Sequence, residues 1–348
     1  MDQTSNKARW QLVIGILVGL VSLVAVFVFY ANPTEIIATL RTAHYGYLLL
    51  SALGIILFLV IRAIRWRFML SNAIPYSPVF HTQNIGYMIS QLLPFRLGDV
   101  ARAILIGNAP PVTVPWGLST MVVERLLDML FIVVLLPFTL SGVAILPDWM
   151  RSFAIASGFL ALGGIVVLII AANQRERALK LADAVLRKLL PFLNREAWVR
   201  RIDELLVGLK SLTNVRDGVI LIVLSILVWL PIIAAYYTTM LAVNLEPTWI
   251  MAGFVVCAAA FSVAVPSTPG QIGPFHFAVI TALQLYGQPA AESASFAFLY
   301  HFLNTIVLIV FGVLGILKMG VTFQHVVNSA QSFVSRQKAE QPEQHQPE

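Results

Sequence analysis

The chain has 348 residues, 58% of them hydrophobic and only 11% charged, with a formal net charge of +6; its mean hydropathy is +0.82. A water-soluble domain is normally about a quarter charged and under half apolar, so the composition excludes a soluble globular protein and assigns the chain to a membrane. The positive balance calls for no nucleic acid, because membrane proteins gather Lys and Arg on their cytoplasmic side, and the single cysteine, Cys257, excludes an internal disulfide and a cysteine-based zinc cluster.

The first apolar run, 11–30, follows Lys7 and Arg9 and exceeds a signal-peptide core, so it reads as a retained span after a cytoplasmic N-terminus at 1–9. Further full spans are expected at 47–61, 117–140, 152–172, 218–243 and 293–317. Two apolar regions do not fit as simple spans: 79–107 is broken by "PFRLG" and 252–286 by "PSTPGQIGP". Each piece is about 10 to 15 residues, roughly 15–22 Å as helix, too short for a hydrocarbon core about 30 Å thick. Proline removes a backbone donor and glycine weakens a helix, so each region is expected to be a re-entrant helical hairpin.

The expected fold is therefore an all-α, polytopic membrane protein with about six full spans and two re-entrant hairpins. With the N-terminus inside, 18 basic residues fall on inner segments against Arg41 and Arg151 outside, which orients both termini to the cytoplasm across the cell's inner (cytoplasmic) membrane. Trp10, Trp66, Trp116, Trp149 and Trp249 fall near segment ends, where an interfacial belt belongs. In this topology each hairpin is flanked by two spans, and the two units run in opposite orientations. Such inverted repeats, with broken helices meeting near the midplane, are a plan of secondary transporters. Between the units, the connector 173–217 carries ten basic and six acidic residues on an amphipathic helical pattern, which suits an anionic lipid surface or a solvated linker equally. The polar segment 321–348 ends in "RQKAEQPEQHQPE", a composition of disorder.

The first break holds the densest chemistry. Asp99 and Arg102 are three residues apart and share a helix face, with Arg96 just before them. A helix N-terminus is an anion site in its own right, and guanidinium groups hold phosphate bidentately, so Arg96, Arg102 and Asp99 form a candidate lipid-phosphate site. The alternative is structural: Asp99 caps the helix, Arg102 pairs with it and Arg96 snorkels to the interface. In "VVERLLDMLF", Glu124 and Asp128 share a face at i, i+4 near mid-bilayer, with Arg125 between them. They form an intramembrane charge network that either braces the hairpin or tunes a cavity. Around the second break, Pro269, Gly270, Gln271, Gly273 and His276 are candidate cavity wall, facing the polar set Tyr300, His301 and Asn304 at i, i+1, i+4. Irregular backbone at membrane depth is tolerated only against protein or a wet cavity. Arg62 and Arg65, at the end of the second span, are expected at the inner mouth as positive-inside anchors. No metal, nucleotide or hydrolase motif occurs, so no cofactor, no metal and no enzymatic activity are expected.

The stretches "RAIRW" (62–66), "LLPFRLGDVAR" (92–102), "VVERLLD" (122–128) and "PSTPGQIGPFHF" (266–277), in this order, resemble the lysylphosphatidylglycerol synthase transmembrane-region family. This is the flippase-like membrane domain of bacterial multiple peptide resistance factors, which also occurs alone, and the resemblance spans about residues 10 to 320. Its P-x-R-x-G-[DE]-x-x-R pattern falls on Pro94, Arg96, Gly98, Asp99 and Arg102, and its E-R-x-x-D on Glu124, Arg125 and Asp128. Its later PGG-x-G-x-x-E falls on Pro269, Gly270, Gln271, Gly273 and His276, where Gln271 replaces a glycine and His276 an acid. The resemblance implies movement of an anionic phospholipid or polyprenyl-linked lipid between leaflets. Membrane lipids are then the partners, and a lipid-modifying synthase is a further candidate partner. A lipid-modifying transferase or its accessory subunit is the alternative, and a non-transport scaffold a third; the synthase activity in the family name is not expected here.

Overall fold

The computed structural model describes residues 32–93, 97–140, 142–143, 173–189, 215–262 and 269–339, together with isolated positions between 17 and 28 and between 152 and 170, and residue 199. The N-terminal 1–9, Pro94 to Arg96, 190–198, 200–214, 263–268 and 340–348 lie outside the described residues. So do most positions of the expected first and fourth spans.

Every described element is helical, with no strand among them. The helices are α1 (Pro33–Arg41), α2 (Gly46–Met69), α3 (Tyr76–Leu92), α4 (Leu97–Gly107), α5 (Val114–Leu140), α6 (Arg175–Leu189), α7 (Val215–Ala242), α8 (Trp249–Ser262), α9 (Pro274–Leu285), α10 (Ala290–Met319) and α11 (Phe323–Ala339). A 3-10 turn, Pro269–Gln271, precedes α9. By length and composition α2, α7 and α10 can each cross a membrane, and α8 and α9 are shorter apolar helices.

Local chemistry sets the ends. Pro33 opens α1 at a position whose N–H has no intrahelical partner, and the Asn32 side chain accepts from Thr34 N–H at 3.1 Å. Leu93, which precedes Pro94, is extended (φ −121°, ψ 147°), because the proline ring clashes with a helical predecessor; α3 stops there. Gly320 closes α10 in the left-handed conformation (φ 64°). The expected second span grows from 47–61 to Gly46–Met69, since its arginines are neutralised inside the protein and the helix need not end before them.

The segment 321–348 was expected to be disordered, and here the structure corrects the sequence: 323–339 is α11. Val326 and Ala330, at i, i+4, are buried on it against Ile85, Ile89 and Ala101 of the first hairpin. A composition average over the whole tail hides this short apolar stripe.

Among the described residues, large apolar side chains are exposed on the outer helix faces, while polar and charged groups are buried among the apolar core. On α7, Val219, Ile222, Val223, Ile226, Leu227 and Leu230 are exposed at helical spacing, a stripe that water would penalise and hydrocarbon accepts. Inward, α2 and α7 approach closely where Gly54 meets Pro231 and Ala235, and Ser51 Oγ donates to the Ala235 carbonyl at 3.1 Å while accepting from Thr239 Oγ1 at 2.7 Å. Small residues and interhelical hydroxyl bonds are the usual means of joining helices in lipid, where no hydrophobic gradient does so.

Two helical hairpins are present, α3 with α4 and α8 with α9. The packing pairs come in matched sets: α3 on α10 with α8 on α5, α4 on α5 with α9 on α10, and α2 on α3 with α7 on α8. The helices α2 and α7 also pack on each other.

Candidate functional site

The site is assembled from one end of α2. Arg62 and Arg65 lie one turn apart, and neither reaches the expected inner mouth: Arg62 is 5% and Arg65 0% exposed. A span-end arginine snorkels to water only if no carboxylate is closer, and here α5 supplies two. Arg62 Nη2 bonds Glu124 Oε1 at 2.6 Å and Asp128 Oδ2 at 2.5 Å, and Arg65 Nη2 bonds Asp128 Oδ1 at 2.8 Å. Arg65 Nη1 also donates to Ser225 Oγ on α7 at 3.2 Å.

Arg102 rises from α4 on the other side of Glu124. It is fully buried and binds that carboxylate with both terminal nitrogens, at 3.3 Å and 3.1 Å. Its guanidinium lies over the ring of Trp66 at 4.3 Å and near Tyr87 at 5.2 Å, while Arg62 flanks Tyr87 at 5.7 Å. Trp66, expected in the interfacial belt, is wholly buried and donates its indole N–H to Thr120 Oγ1 at 2.9 Å.

Asp99 and Arg125 form a half-buried outer pair at 2.7 Å, with Asp99 3.7 Å from Arg102. Arg102 therefore pairs mainly with Glu124 rather than with its helical neighbour. Arg96 lies outside the described residues.

The charges do not balance. Among the described residues, Arg62, Arg65, Arg102, Glu124 and Asp128 are all buried, and in this cluster three cations meet two carboxylates, an excess of one formal positive charge. Donors are also unspent: Arg102 Nε, Arg65 Nε and the Tyr87 hydroxyl are buried with no hydrogen-bond partner among the described residues. Nearby on α3, Gln83 Oε1 and Asn84 Oδ1 lack partners too. Buried polar groups are ordinarily satisfied, and clusters of exceptions mark sites for water, ions or ligands. Sequence reasoning passed over Gln83, Asn84 and Tyr87. Their spacing, i, i+1, i+4 on a half-length helix, is the same signal that singled out Tyr300, His301 and Asn304.

The second break has an irregular backbone, with Gly270 at φ 67°, Gln271 at φ 59° and Gly273 at φ 100°. A Cβ on Gly273 would collide with the Gly19 carbonyl, so only glycine lets the two segments touch there. His276 is buried in the first turn of α9, and its ring lies 4.9 Å from that of His301 and 4.4 Å from Phe298. Tyr300 is buried against Tyr236, ring centroids 4.1 Å apart, and Asn304 is half-buried one turn on.

The two breaks meet. Gln91, at the end of α3, donates to Thr305 Oγ1 at 2.6 Å, and a Cβ on Gly270 would sit 3.2 Å from Gln91 Nε2. Neither Gln91 nor Thr305 was anticipated. The Gln91 end of the first break thus faces the second break, whereas the ion cluster lies deeper in the first unit.

The family model described as "Lysylphosphatidylglycerol synthase TM region" matches residues 12–312 of the chain. Among relatives, the UPF0104 membrane protein MJ1078 of Methanocaldococcus jannaschii is 24% identical over 226 residues, covering 64% of this chain and 91% of that protein. No solved structure matches the chain.

Proposed function

The chain belongs to the lysylphosphatidylglycerol synthase transmembrane-region family, and from that membership and the cationic excess in its interior we propose that it moves an anionic phospholipid, or a polyprenyl-linked lipid, between membrane leaflets. The observation that carries the reading is the unbalanced cluster: three buried guanidiniums against two carboxylates, with Arg102 Nε and the Tyr87 hydroxyl unspent. A lipid phosphate brings the missing negative charge and oxygens for those donors, and a guanidinium binds such a group bidentately. In the packing seen here Glu124 holds Arg102 in the phosphate's place. Exchange of the carboxylate for the phosphate, as the α3–α4 hairpin shifts, is the proposed binding step.

The proposal includes six spans and two re-entrant hairpins arranged as an inverted repeat, in a cell membrane with both termini cytoplasmic. The matched packing pairs around α2 and α7 support that repeat. No enzymatic step is proposed, and the partners are membrane lipids, with a lipid-modifying synthase as a candidate supplier of the cargo. A second reading has one specific observation in its favour: Glu124 and Asp128 are both fully engaged, as in a purely structural brace.

Purified protein in vesicles of phosphatidylcholine and phosphatidylglycerol, with a trace of fluorescent phosphatidylglycerol and no nucleotide, separates the two. Transport predicts leaflet exchange above that of protein-free vesicles, lost in Arg102→Ala protein that still folds. A folded Arg102→Ala variant that exchanges lipid at the parental rate leaves only the brace.

A further inference from the structure

The counterpart of the ion cluster in the second unit is built from neutral groups. Glu124 is the eleventh residue of α5 and Tyr300 the eleventh of α10, so Tyr300, His301 and Asn304 stand where Glu124, Arg125 and Asp128 stand in the first unit. Around them lie His276 of α9 and Tyr236 of α7, enclosed by Phe275, Phe296 and Phe298.

His276 faces a backbone donor. The Gly273 N–H donates to its Nδ1 at 3.4 Å, so that nitrogen carries a lone pair and the neutral ring holds its proton on Nε2. A second proton has only Nδ1 to occupy, where it would oppose the Gly273 N–H, donor against donor. The cap on α9 is then lost at a backbone already packed against Gly19. The imidazolium would also sit in the first turn of a helix, at the positive end of its dipole, among rings that offer no counter-ion.

Among the described residues, the surroundings hold no carboxylate to accept the charge. α8 and α9 carry no Asp, Glu, Lys or Arg at all, and α8 contributes only Cys257 as a titratable group. On α10 the charged residues are Glu292 and Lys318, in its first and last turns, and on α7 they are Arg216 and Asp217, in its first turn. Tyr300 and Tyr236 lie against each other, and the Phe275 ring stands between Tyr300 and His301. Glu35 and Arg41 of α1 are exposed, and Arg62 and Arg65 of α2 belong to the ion cluster. On α3, His81 lies beside Phe80, and Tyr87 lies between Arg62 and Arg102.

We propose that the His276–His301 imidazole pair is a proton-binding site, and that taking up a proton parts the start of α9 from α10. The proton comes from water and forms an N–H bond on a ring lone pair; no other bond is made or broken except the Gly273 hydrogen bond. Because the closed packing excludes the imidazolium, protonation and opening are linked: each favours the other. The proposal rests on the transport reading for its purpose, since it makes the proton the coupling ion, but its physical content is independent of it.

Two measurements on the full chain in the same vesicles decide it. Hydrogen exchange of the amides from Gly273 through the first turn of α9, corrected for intrinsic rates, is followed from about pH 8 to about pH 5.5, across the ordinary imidazole value of about 6.5. In wild type these amides lose protection by about fivefold or more on acidification, and in His276→Gln and His301→Gln they do not. The ratio of leaflet-exchange rates at the two pH values, each protein referred to its own rate at the higher pH, departs from one by a similar factor in wild type and flattens in both variants. Unchanged protection of wild-type α9 across the range overturns the proton site, even if neither variant folds. Wild-type loss of protection with no leaflet exchange at any pH keeps the proton site and rejects the transport reading.

Discussion

Glu124 stands between two arginines from different helices, and the energetics of the cluster turn on it. Removing one partner of a buried ion pair leaves an uncompensated charge and costs about 3–5 kcal/mol. Glu124→Gln should therefore lower stability by about that amount, because Arg62 and Arg102 lose their shared carboxylate while three guanidiniums remain against Asp128. Adding Arg102→Met removes a cation and keeps an apolar stem beneath Trp66. The double variant should then be more stable than the sum of the single effects by about 1–3 kcal/mol, measured as thermal unfolding in detergent. Strict additivity would mean that Glu124 and Arg102 touch without holding one another. The sequence made Arg102, Glu124 and Asp128 legible, since charges deep in an apolar run need a reason. It did not reveal the fate of Arg62 and Arg65. A basic residue at the end of a span reads the same whether it reaches water or turns back, and what decides is a carboxylate 62 residues further along the chain.

The hairpins depend on glycine where backbone meets backbone. A Cβ on Gly98 would overlap the Gly86 carbonyl and the Ser90 hydroxyl, and one on Gly86 would overlap the Arg102 side chain. Neither neighbour can yield, because one is backbone and the other is pinned to Glu124. Gly98→Ala should thus destabilise by at least about 1–3 kcal/mol, the cost of overpacking, and should loosen Arg102 from Glu124 as α4 is pushed off α3. Gly46→Ala is the control: nothing lies within 4 Å of its Cβ, and the change should stay within about 0.5 kcal/mol. Equal thermal shifts for the two variants would refute the close approach of α3 and α4. At this scale the sequence was informative, because Pro94 and the glycines marked both breaks and the short pieces could not span. It failed at α11, where four turns of mixed polarity hide the apolar pair Val326 and Ala330 until Ile85, Ile89 and Ala101 come alongside to cover them.

Across the whole molecule, the order of spans and breaks motivates the proposed pairing of two units, while the contacts between helices far apart in the chain appear only in three dimensions. Two of those contacts are α3 on α10 and α8 on α5, counterparts under the proposed repeat. At the first, a Cβ on Gly315 would lie 2.9 Å from Ile85 Cγ1, and at the second a Cβ on Gly253 would lie 3.1 Å from Thr139 Cγ2. Sulfur in the place of each γ carbon meets the facing Cβ near the spacing of an unstrained disulfide. In a Cys257→Ala background, the pairs Gly315→Cys with Ile85→Cys and Gly253→Cys with Thr139→Cys should each oxidise readily, seen as a reductant-sensitive mobility shift. If lipid passes where the two units part, either bridge should lower leaflet exchange by about tenfold or more, and reductant should restore it, whereas single cysteines should not respond to oxidant. If the proposed repeat holds, the two junctions are equivalent and the two bridges should act alike. Exchange that continues at the reduced rate with both bridges closed would show that the units do not move against each other, and any passage would then have to lie within one unit alone.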